Sequence, residues 1–516
     1  MAGPGGAGES VPTVGALLER RALLDRDTPA LIAGSLRLSF GQLQVWVEAV
    51  AGALAAEGVG RGDRVAVLSP NSPEGVALYY GAARNGAILC TLNVRLADDE
   101  LAAILTDAEP ALLVAHPDCS DRAIALAGRV RVARVWRFDA APMPPPLERP
   151  VETVYAAAGT VCRQSPVAAA DPLLLVYTSG TTGRPKGAVM THAGMVWASA
   201  TMAHTLDYRY RDVGLIPVPL FHVGGMSFAT FFVHAGATAV LPPAWQPEAM
   251  LDLIAAERVN HFFAVAAMLR GLLDAPGFAR ADLSSLRWIL AGGAPVPADL
   301  IRAFGCRDIP VLQTYGATET AGPATAVDLA HAEVKAGSAG LPFFHTDLRI
   351  ADDAGRALPA DTVGEIHVRA PHLFAGYWRN PAETAAAFAG DWYRSGDIGR
   401  LDREGYLWIE GRRRDLIVSG GENIFPAEVE AVLEAHPAIA EAGVVGRPDS
   451  AWGEVPVAVI VAVPGAAAPD PTELARFCAG RLARYKIPKL VETSEMPLPR
   501  NAAGKLLRHL LRSGRP

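Results

Sequence analysis

The 516-residue chain has only five cysteines, Cys90, Cys119, Cys162, Cys306 and Cys478, scattered without a C-x-x-C pair. That pattern argues against a disulfide framework or a cysteine-bound zinc site and reads as reduced thiols in a cytosolic protein. Positive charge is not in excess either: 47 Lys and Arg stand against 54 Asp and Glu, a net charge of −7. Nucleic acid as main partner would need a basic face, whereas a small phosphorylated ligand asks only for a local cluster of donors. The opening stretch, MAGPGGAGES, has neither a basic n-region nor an apolar h-region, so no secretory signal is expected there. Long hydrophobic runs are missing too. VPVAVIVAV (Val455 to Val463) is far too short to span a bilayer and reads as a buried strand, so no integral membrane association is expected. No internal period marks a repeat architecture.

Half the residues are hydrophobic and a fifth charged, an ordinary globular balance with ample core. At roughly 150 residues per domain, this length makes two or three domains. From Ser39 the pattern alternates. Ser39 caps a helix running to Glu57, RVAVLS follows as a strand, and SPEGVALYYGAARNG is a helix with proline in its first turn. AILCTLN (strand), ADDELAAILTDAEP (helix) and ALLVA (strand) continue the series, which indicates βαβ units and mostly parallel sheets. The proline-rich APMPPPLERP (Ala141 to Pro150) reads as a surface connection. A second change comes near Gly411, where GYLWIEGRRRDLIVSGGENIFPAEVE runs strand, basic turn, strand, glycine turn, then a helix opened by Pro426. A domain boundary is placed at the GRRRD turn. The fold class is therefore α/β, with a large multi-sheet N-terminal domain, 1–411, and a small α+β C-terminal domain, 412–516.

The most informative stretch is VYTSGTTGRPKG, Val176 to Gly187, with five hydroxyl side chains, three glycines and Lys186 in twelve positions. Apolar flanks make it a loop lifted from a sheet. A Walker A loop would run from its lysine straight into a helix; here Gly187 follows Lys186, and Pro185 disfavours helix at Arg184. The donor set nevertheless suits a polyphosphate. Backbone N–H groups at Gly180 and Gly183 can converge as a nest, Thr178, Ser179, Thr181 and Thr182 add hydroxyls, and Lys186 adds charge.

This loop resembles the signature of the adenylate-forming superfamily, which holds acyl-CoA synthetases, adenylation domains of nonribosomal peptide synthetases, and luciferases. Further segments resembling that family follow in order: LAGGAPVP (Leu290 to Pro297), QTYGATET (Gln313 to Thr320), WYRSGDIG (Trp392 to Gly399), GRRRDLIVSGGENIFPAEVE (Gly411 to Glu430) and PRNAAGKLLR (Pro499 to Arg508). The resemblance implies a two-step reaction. A carboxylate attacks the α-phosphorus of ATP to give acyl-AMP and pyrophosphate, and the thiol of coenzyme A then displaces AMP. Negative charge builds at phosphates in both steps, so placed cations and donors are the catalytic resource.

By that resemblance Glu319 binds Mg²⁺, a hard cation that bridges ATP oxygens, with Thr318 beside the phosphate. Tyr315 offers a face to adenine, while Gly292, Gly293 and Ala294 let the backbone approach the base. Asp397 accepts both ribose hydroxyls, a task for two acceptor oxygens, and Arg412 binds ribose or phosphate from the other side. Lys505 matches the C-terminal lysine that reaches the α-phosphate and the acid carboxylate. The small domain is mobile in this reading, rotating about Arg414 to withdraw Lys505 and bring Gly420, Gly421 and Glu422 to the thiol channel. Trp452, Lys486 and Lys489 are candidates for the nucleotide end of coenzyme A. Read without the family, Glu319 is a solvated charge, Tyr315 a packing residue, Asp397 a turn residue and Lys505 a tail charge.

PLFHVGGMSFATFF (Pro219 to Phe232) resembles the segment lining the acyl pocket, through His222, Val223, Gly224 and Gly225, with Ala317 also in the pocket and the nucleotide-binding Gly316 leaving space. Amino-acid adenylation domains keep an aspartate where this chain has His222, so a plain carboxylic acid or its adenylate is the expected partner. His222 either gates the pantetheine tunnel or packs. The small residues and apolar aromatics suggest a bulky hydrophobic acid. A peptide-synthetase module would continue into a carrier domain, whereas this chain stops soon after Lys505. A luciferase-type oxygenase and a non-catalytic binder share the fold, and the presence of Glu319, Asp397 and Lys505 favours catalysis. The chain departs from common family patterns at Ala193 and Gly194, often Arg-Asn, and at Leu341, often Arg. An enzyme of one half-reaction is the alternative to complete ligation. A cytoplasmic location is expected, and a homodimer is permitted.

Overall fold

The computed structural model describes residues 11–139, 166–178, 185–293, 296–412, 417–424, 426–499, 506 and 508–512. The proline-rich connection, Ser179, Gly180, Thr181, Thr182, Gly183, Ala294, Arg414 and Lys505 lie outside the described residues, as does the side chain of Arg412. Two compact units take their described residues from 1–94, 108–176 and 187–410, and from 95–107, 177–186 and 411–516.

Local signals set the first elements of the larger unit. Ser39 accepts from the Gln42 N–H, and the Gln42 side chain accepts from the Ser39 N–H at 2.9 Å, a reciprocal capping box opening helix Phe40–Ala56. Ser72 caps helix Pro73–Asn85, whose Pro73 sits where no intrahelical donor is needed. Between and after these helices, strands Arg64–Leu68, Ile88–Leu92 and Leu112–Ala115 pair in parallel, and Pro172–Thr178 joins them beside Ile88–Leu92. They form the middle of a seven-stranded sheet whose far edge is Lys186–Thr191 followed by Gly376–Tyr377. The glycine-hydroxyl loop thus does connect strand to strand.

A nine-stranded sheet carries Tyr315 and the strand that leads to Gly292. Its order runs Leu341–Pro342, Gly322–Ala326, Val311–Ala317, Trp288–Ala291, His261–Ala264, Val213–Leu215, Thr238–Val240, Pro29–Ala33, Leu36–Ser39. The six strands from Val311–Ala317 to Pro29–Ala33 are parallel, with antiparallel strands at both edges. Parallel strands are covered on both faces, and a large shared core including Trp46, Tyr79, Tyr80, Phe228, Phe231, Phe232 and Trp288 supplies the cover. A five-stranded sheet carries Asp347–Ala351, Gly364–Arg369, Trp392–Leu401 and Phe388–Ala389, antiparallel where they pair, with Leu407–Arg412 beside Trp392–Leu401.

In the smaller unit, strand Gly453–Ala462 is buried continuously from Val455 to Ile460. Ala458 and Ile460 pack with Ile417, Ile424, Val429 and Leu433, whereas Val457 and Val459 pack with Leu498 and Leu511. Burial on both faces explains why this strand is an unbroken apolar run. Helix Pro426–Glu434 opens at the expected proline. The sequence pattern and the structure agree on an α/β class with a large N-terminal domain and a small C-terminal one. Among the described residues no helix is long and apolar enough to cross a membrane.

Candidate active site

Parallel strands leave their C-terminal ends as the natural crevice for ligands, and the candidate residues gather there. Gly292 and Gly293 follow strand Trp288–Ala291, and Tyr315, Gly316 and Ala317 end strand Val311–Ala317. A side chain at Gly292 would lie 2.6 Å from the Thr314 carbonyl oxygen, so the two adjacent strand ends approach closely only with glycine there. Gly293 and Gly316 are exposed at the rim, while Ala317 and Thr318 are half-buried.

Two phenols each reach a carboxylate. Tyr315 is buried, and its hydroxyl donates to Asp397 Oδ2 at 2.7 Å, joining the nine-stranded sheet to the strand Trp392–Leu401 that carries Asp397. Asp397 is itself buried, with its N–H on the Ser395 hydroxyl. Glu319 sits in the one-turn 3₁₀ segment Thr318–Thr320 and is 8% exposed, which removes the reading of a solvated surface charge. Tyr377 donates its hydroxyl to Glu319 Oε1 at 2.8 Å. Burial, and then the neighbouring Glu319 charge, push the Tyr377 phenol well above its ordinary range, so it stays a donor. Sequence reasoning missed Tyr377. The only local hint is Gly376 before an aromatic pair, a mark of close backbone approach in a strand.

At the acyl segment, His222 precedes helix Val223–Ala235, is half-buried, and packs its ring 4.8 Å from that of Phe221. The residues after it divide. Among the described residues, a side chain at Gly224 would meet only Phe263, at 3.9 Å. Gly225 instead would collide with the Pro219 carbonyl at 2.4 Å, and Val223 belongs to the core. Gly225 and Val223 are thus packing residues, not open pocket lining. Phe263 stacks on Phe228 at 5.9 Å and 23°, giving an apolar wall beside Gly224.

In the smaller unit the Thr178 hydroxyl lies 3.4 Å from the Lys186 carbonyl, across the two ends of the glycine-hydroxyl loop. Gly420 and Gly421 form the two-residue turn between Ile417–Ser419 and Glu422–Ile424, with φ of +57° and +83°. Such turns need positive φ at both positions. Trp452, 52% exposed, lies over Gly420, and Glu422 pairs with Arg95 at 2.5 Å. Lys489 is exposed. Lys486 is not: its ammonium is 3% exposed and pairs with Glu100 at 2.5 Å and Glu428 at 2.7 Å. A lysine already neutralised inside the unit is not presented to a phosphate, which corrects its expected role at coenzyme A. Burial, then the adjoining Glu100 carboxyl, push Glu428 up to about 8.

Glycine-lined strand ends, a buried carboxylate at a 3₁₀ turn and a second carboxylate held by a tyrosine describe a nucleotide-binding α/β enzyme. Comparison with known proteins carries this further. Residues 18–378 match the AMP-binding enzyme family and residues 428–505 the AMP-binding enzyme C-terminal domain. An indoleacetate–CoA ligase of Aromatoleum aromaticum is 40% identical over 491 residues, 95% of each chain. The long-chain-fatty-acid–CoA ligase FadD13 of Mycobacterium tuberculosis is 36% identical over 511 residues, 97% of this chain and 98% of that one. An o-succinylbenzoate CoA synthetase from Bacillus subtilis, solved with a product analogue, superposes with a TM-score of 0.84 at 33% identity, covering 96% and 98%. The chain belongs to the AMP-binding, adenylate-forming enzyme family, in its carboxylic acid–CoA ligase branch.

Proposed function

We propose that this chain performs both half-reactions on a bulky hydrophobic carboxylic acid. One oxygen of the acid attacks the α-phosphorus of ATP and pyrophosphate leaves. The thiolate sulfur of coenzyme A then attacks the acyl carbon and AMP leaves. The observation that carries the reading is the pair of buried carboxylates, Asp397 and Glu319, each fixed by a tyrosine hydroxyl at 2.7 and 2.8 Å. Preorganised groups of this kind can serve a nucleotide without rearranging during reaction.

In this proposal Tyr315, Gly292, Gly293 and Ala294 take the adenine, Asp397 and Arg412 the ribose, and Thr178 to Gly183 with Lys186 the phosphates. The single carboxylate Glu319, next to the Thr318 hydroxyl, fits Mg²⁺, which takes few protein oxygens and otherwise phosphate and water. Bound there, Mg²⁺ would neutralise the phosphate charge. Lys505 would stabilise the α-phosphate during adenylation, with Arg414 the hinge of the small domain. The Gly420–Glu422 turn, Trp452 and Lys489 would serve coenzyme A. The apolar wall of Phe263 and Phe228 beside Gly224 supports a hydrophobic acid. The relatives named above act by name on an indole acid and on long-chain fatty acids, so ring and chain substrates both belong in the test.

The experiment pairs acid-dependent pyrophosphate exchange with coenzyme A transfer from synthetic acyl adenylates over such an acid panel. Both activities are expected on the same acids, and Lys505→Ala should depress exchange while sparing transfer. Transfer without exchange, or exchange without transfer, would replace complete ligation by a single half-reaction.

A further inference from the structure

We propose that Tyr377 is a positioning residue for adenylation, holding the Glu319 carboxylate in the orientation that meets the divalent cation of the nucleotide. The inference rests on Glu319 as the metal carboxylate. Its basis is a five-residue strap, Phe374 to Trp378, that is fastened on two sides. On one side the Phe374 N–H donates to the Glu319 carbonyl at 2.8 Å and the Tyr377 hydroxyl to Glu319 Oε1 at 2.8 Å. Both the backbone and the side chain of Glu319 are therefore held by residues three apart. On the other side the Ala375 N–H donates to the Val189 carbonyl at 2.8 Å and the Trp378 N–H to the Gly187 carbonyl at 2.7 Å. Gly376 and Tyr377 stand in register with Val189 and Ala188. Gly187 to Val189 begin the strand leaving the glycine-hydroxyl loop, so the strap links that strand directly to Glu319.

The strap is stiff. Phe374 is buried, stacks on Phe388 at 5.4 Å and 16°, and meets Tyr393 edge-on at 5.5 Å. The Tyr377 ring lies edge-on against Phe374 at 4.9 Å, and the Tyr377 N–H donates to the Thr384 hydroxyl at 2.9 Å. A phenol wedged in this way has little freedom to follow a carboxylate that swings. It sets one oxygen of Glu319, which fixes the plane of the group and hence the direction offered to a cation. Partners that orient a metal-binding carboxylate are worth about 10- to 100-fold in metal affinity.

The test titrates Mn²⁺ into the full chain with a non-hydrolysable ATP analogue, reading the free Mn²⁺ signal by electron paramagnetic resonance. Tyr377→Phe should weaken Mn²⁺ binding by about tenfold, leave metal-free analogue affinity unchanged, and slow pyrophosphate exchange. Coenzyme A transfer from a synthetic acyl adenylate, a step that pyrophosphate and its cation have left, should be unaffected. On a Glu319→Gln background Tyr377→Phe should add no further loss. Unchanged Mn²⁺ affinity in Tyr377→Phe, beside a clear loss in Glu319→Gln, overturns the positioning role alone. No loss in Glu319→Gln overturns the metal reading of Glu319 beneath it. Equal losses in both half-reactions assign Tyr377 to the core only and also overturn the proposal. If the phenylalanine chain does not fold, Tyr377→His, which keeps a ring donor, decides: near-native Mn²⁺ affinity supports the role and a loss matching Glu319→Gln defeats it.

Discussion

At the scale of single residues, the site is organised by phenols that hold carboxylates. Tyr315 contributes a hydroxyl to Asp397 as well as whatever its ring offers a base. A hydrogen bond to a charged group is worth about 1.5–3 kcal/mol, and Tyr315→Phe removes that bond from Asp397. If Asp397 receives the ribose, Tyr315→Phe should bind a non-hydrolysable acyl-adenylate analogue about tenfold more weakly in calorimetry. The ring remains, so the melting temperature should fall by no more than the one lost hydrogen bond explains; a larger fall in stability with unchanged affinity would return Tyr315 to simple packing. Glu319 and Asp397 could be singled out in the sequence because each lies in a short segment resembling a family motif, and the structure finds both buried. Tyr377 was not, since it meets Glu319 across 58 positions and nothing near it in the chain announces the contact. Lys486 failed for the same reason in reverse. Its neighbours in RYKIPK look solvent-facing, whereas its partners Glu100 and Glu428 lie 386 and 58 positions away.

Elements were legible wherever a local rule decides them. Ser39 and Gln42 announce a helix start, and VPVAVIVAV announces a strand buried on both faces. Sheet order was not legible, because only tertiary packing places Pro29–Ala33 parallel to Thr238–Val240 or sets Gly376–Tyr377 as the edge strand beside Lys186–Thr191. The Ser419–Glu422 turn is the element of the smaller unit on which a role at coenzyme A can be tested. Gly420 has φ +57°, and an added Cβ would sit 2.6 Å from Trp452 Cε3. Gly420→Ala must therefore shift the indole as well as strain the turn, a destabilisation of about 1–3 kcal/mol. If this turn and Trp452 meet coenzyme A, the variant should raise the KM for coenzyme A in transfer from acyl adenylate, with pyrophosphate exchange near wild type. Loss of exchange instead would place the turn in the adenylating arrangement.

For the whole molecule, buried titratable groups give the two units opposite responses to pH. In the larger unit, burial pushes His192 and His372 down to about 4 from an ordinary 6.5. His192 Nδ1 accepts from the Val14 N–H at 3.2 Å, and neither ring nitrogen of His372 has a partner among the described residues. The folded state therefore keeps both rings neutral while the unfolded chain protonates them. Stability contributed by this burial is present above 6.5 and is lost as pH falls toward 4. Asp212 and Glu365 add loss only at lower pH: burial raises them, but the adjoining His261 and Arg287 side chains, and the adjoining His367 and Arg394 side chains, hold each down to about 2. In the smaller unit Glu428 faces Glu100 and Lys486, and its folded value near 8 lies above the ordinary 4.5. Its contribution is present below 4.5 and is lost as pH rises toward 8, the opposite sign. Calorimetry between pH 5 and 8 should thus resolve the two units moving apart, the larger melting earlier on the acid side. His372→Phe should flatten the acid-side slope of the larger unit, and Glu428→Gln the rising-pH slope of the smaller one. A single transition with no pH slope in either variant or wild type would show that these groups are already solvated in the folded chain.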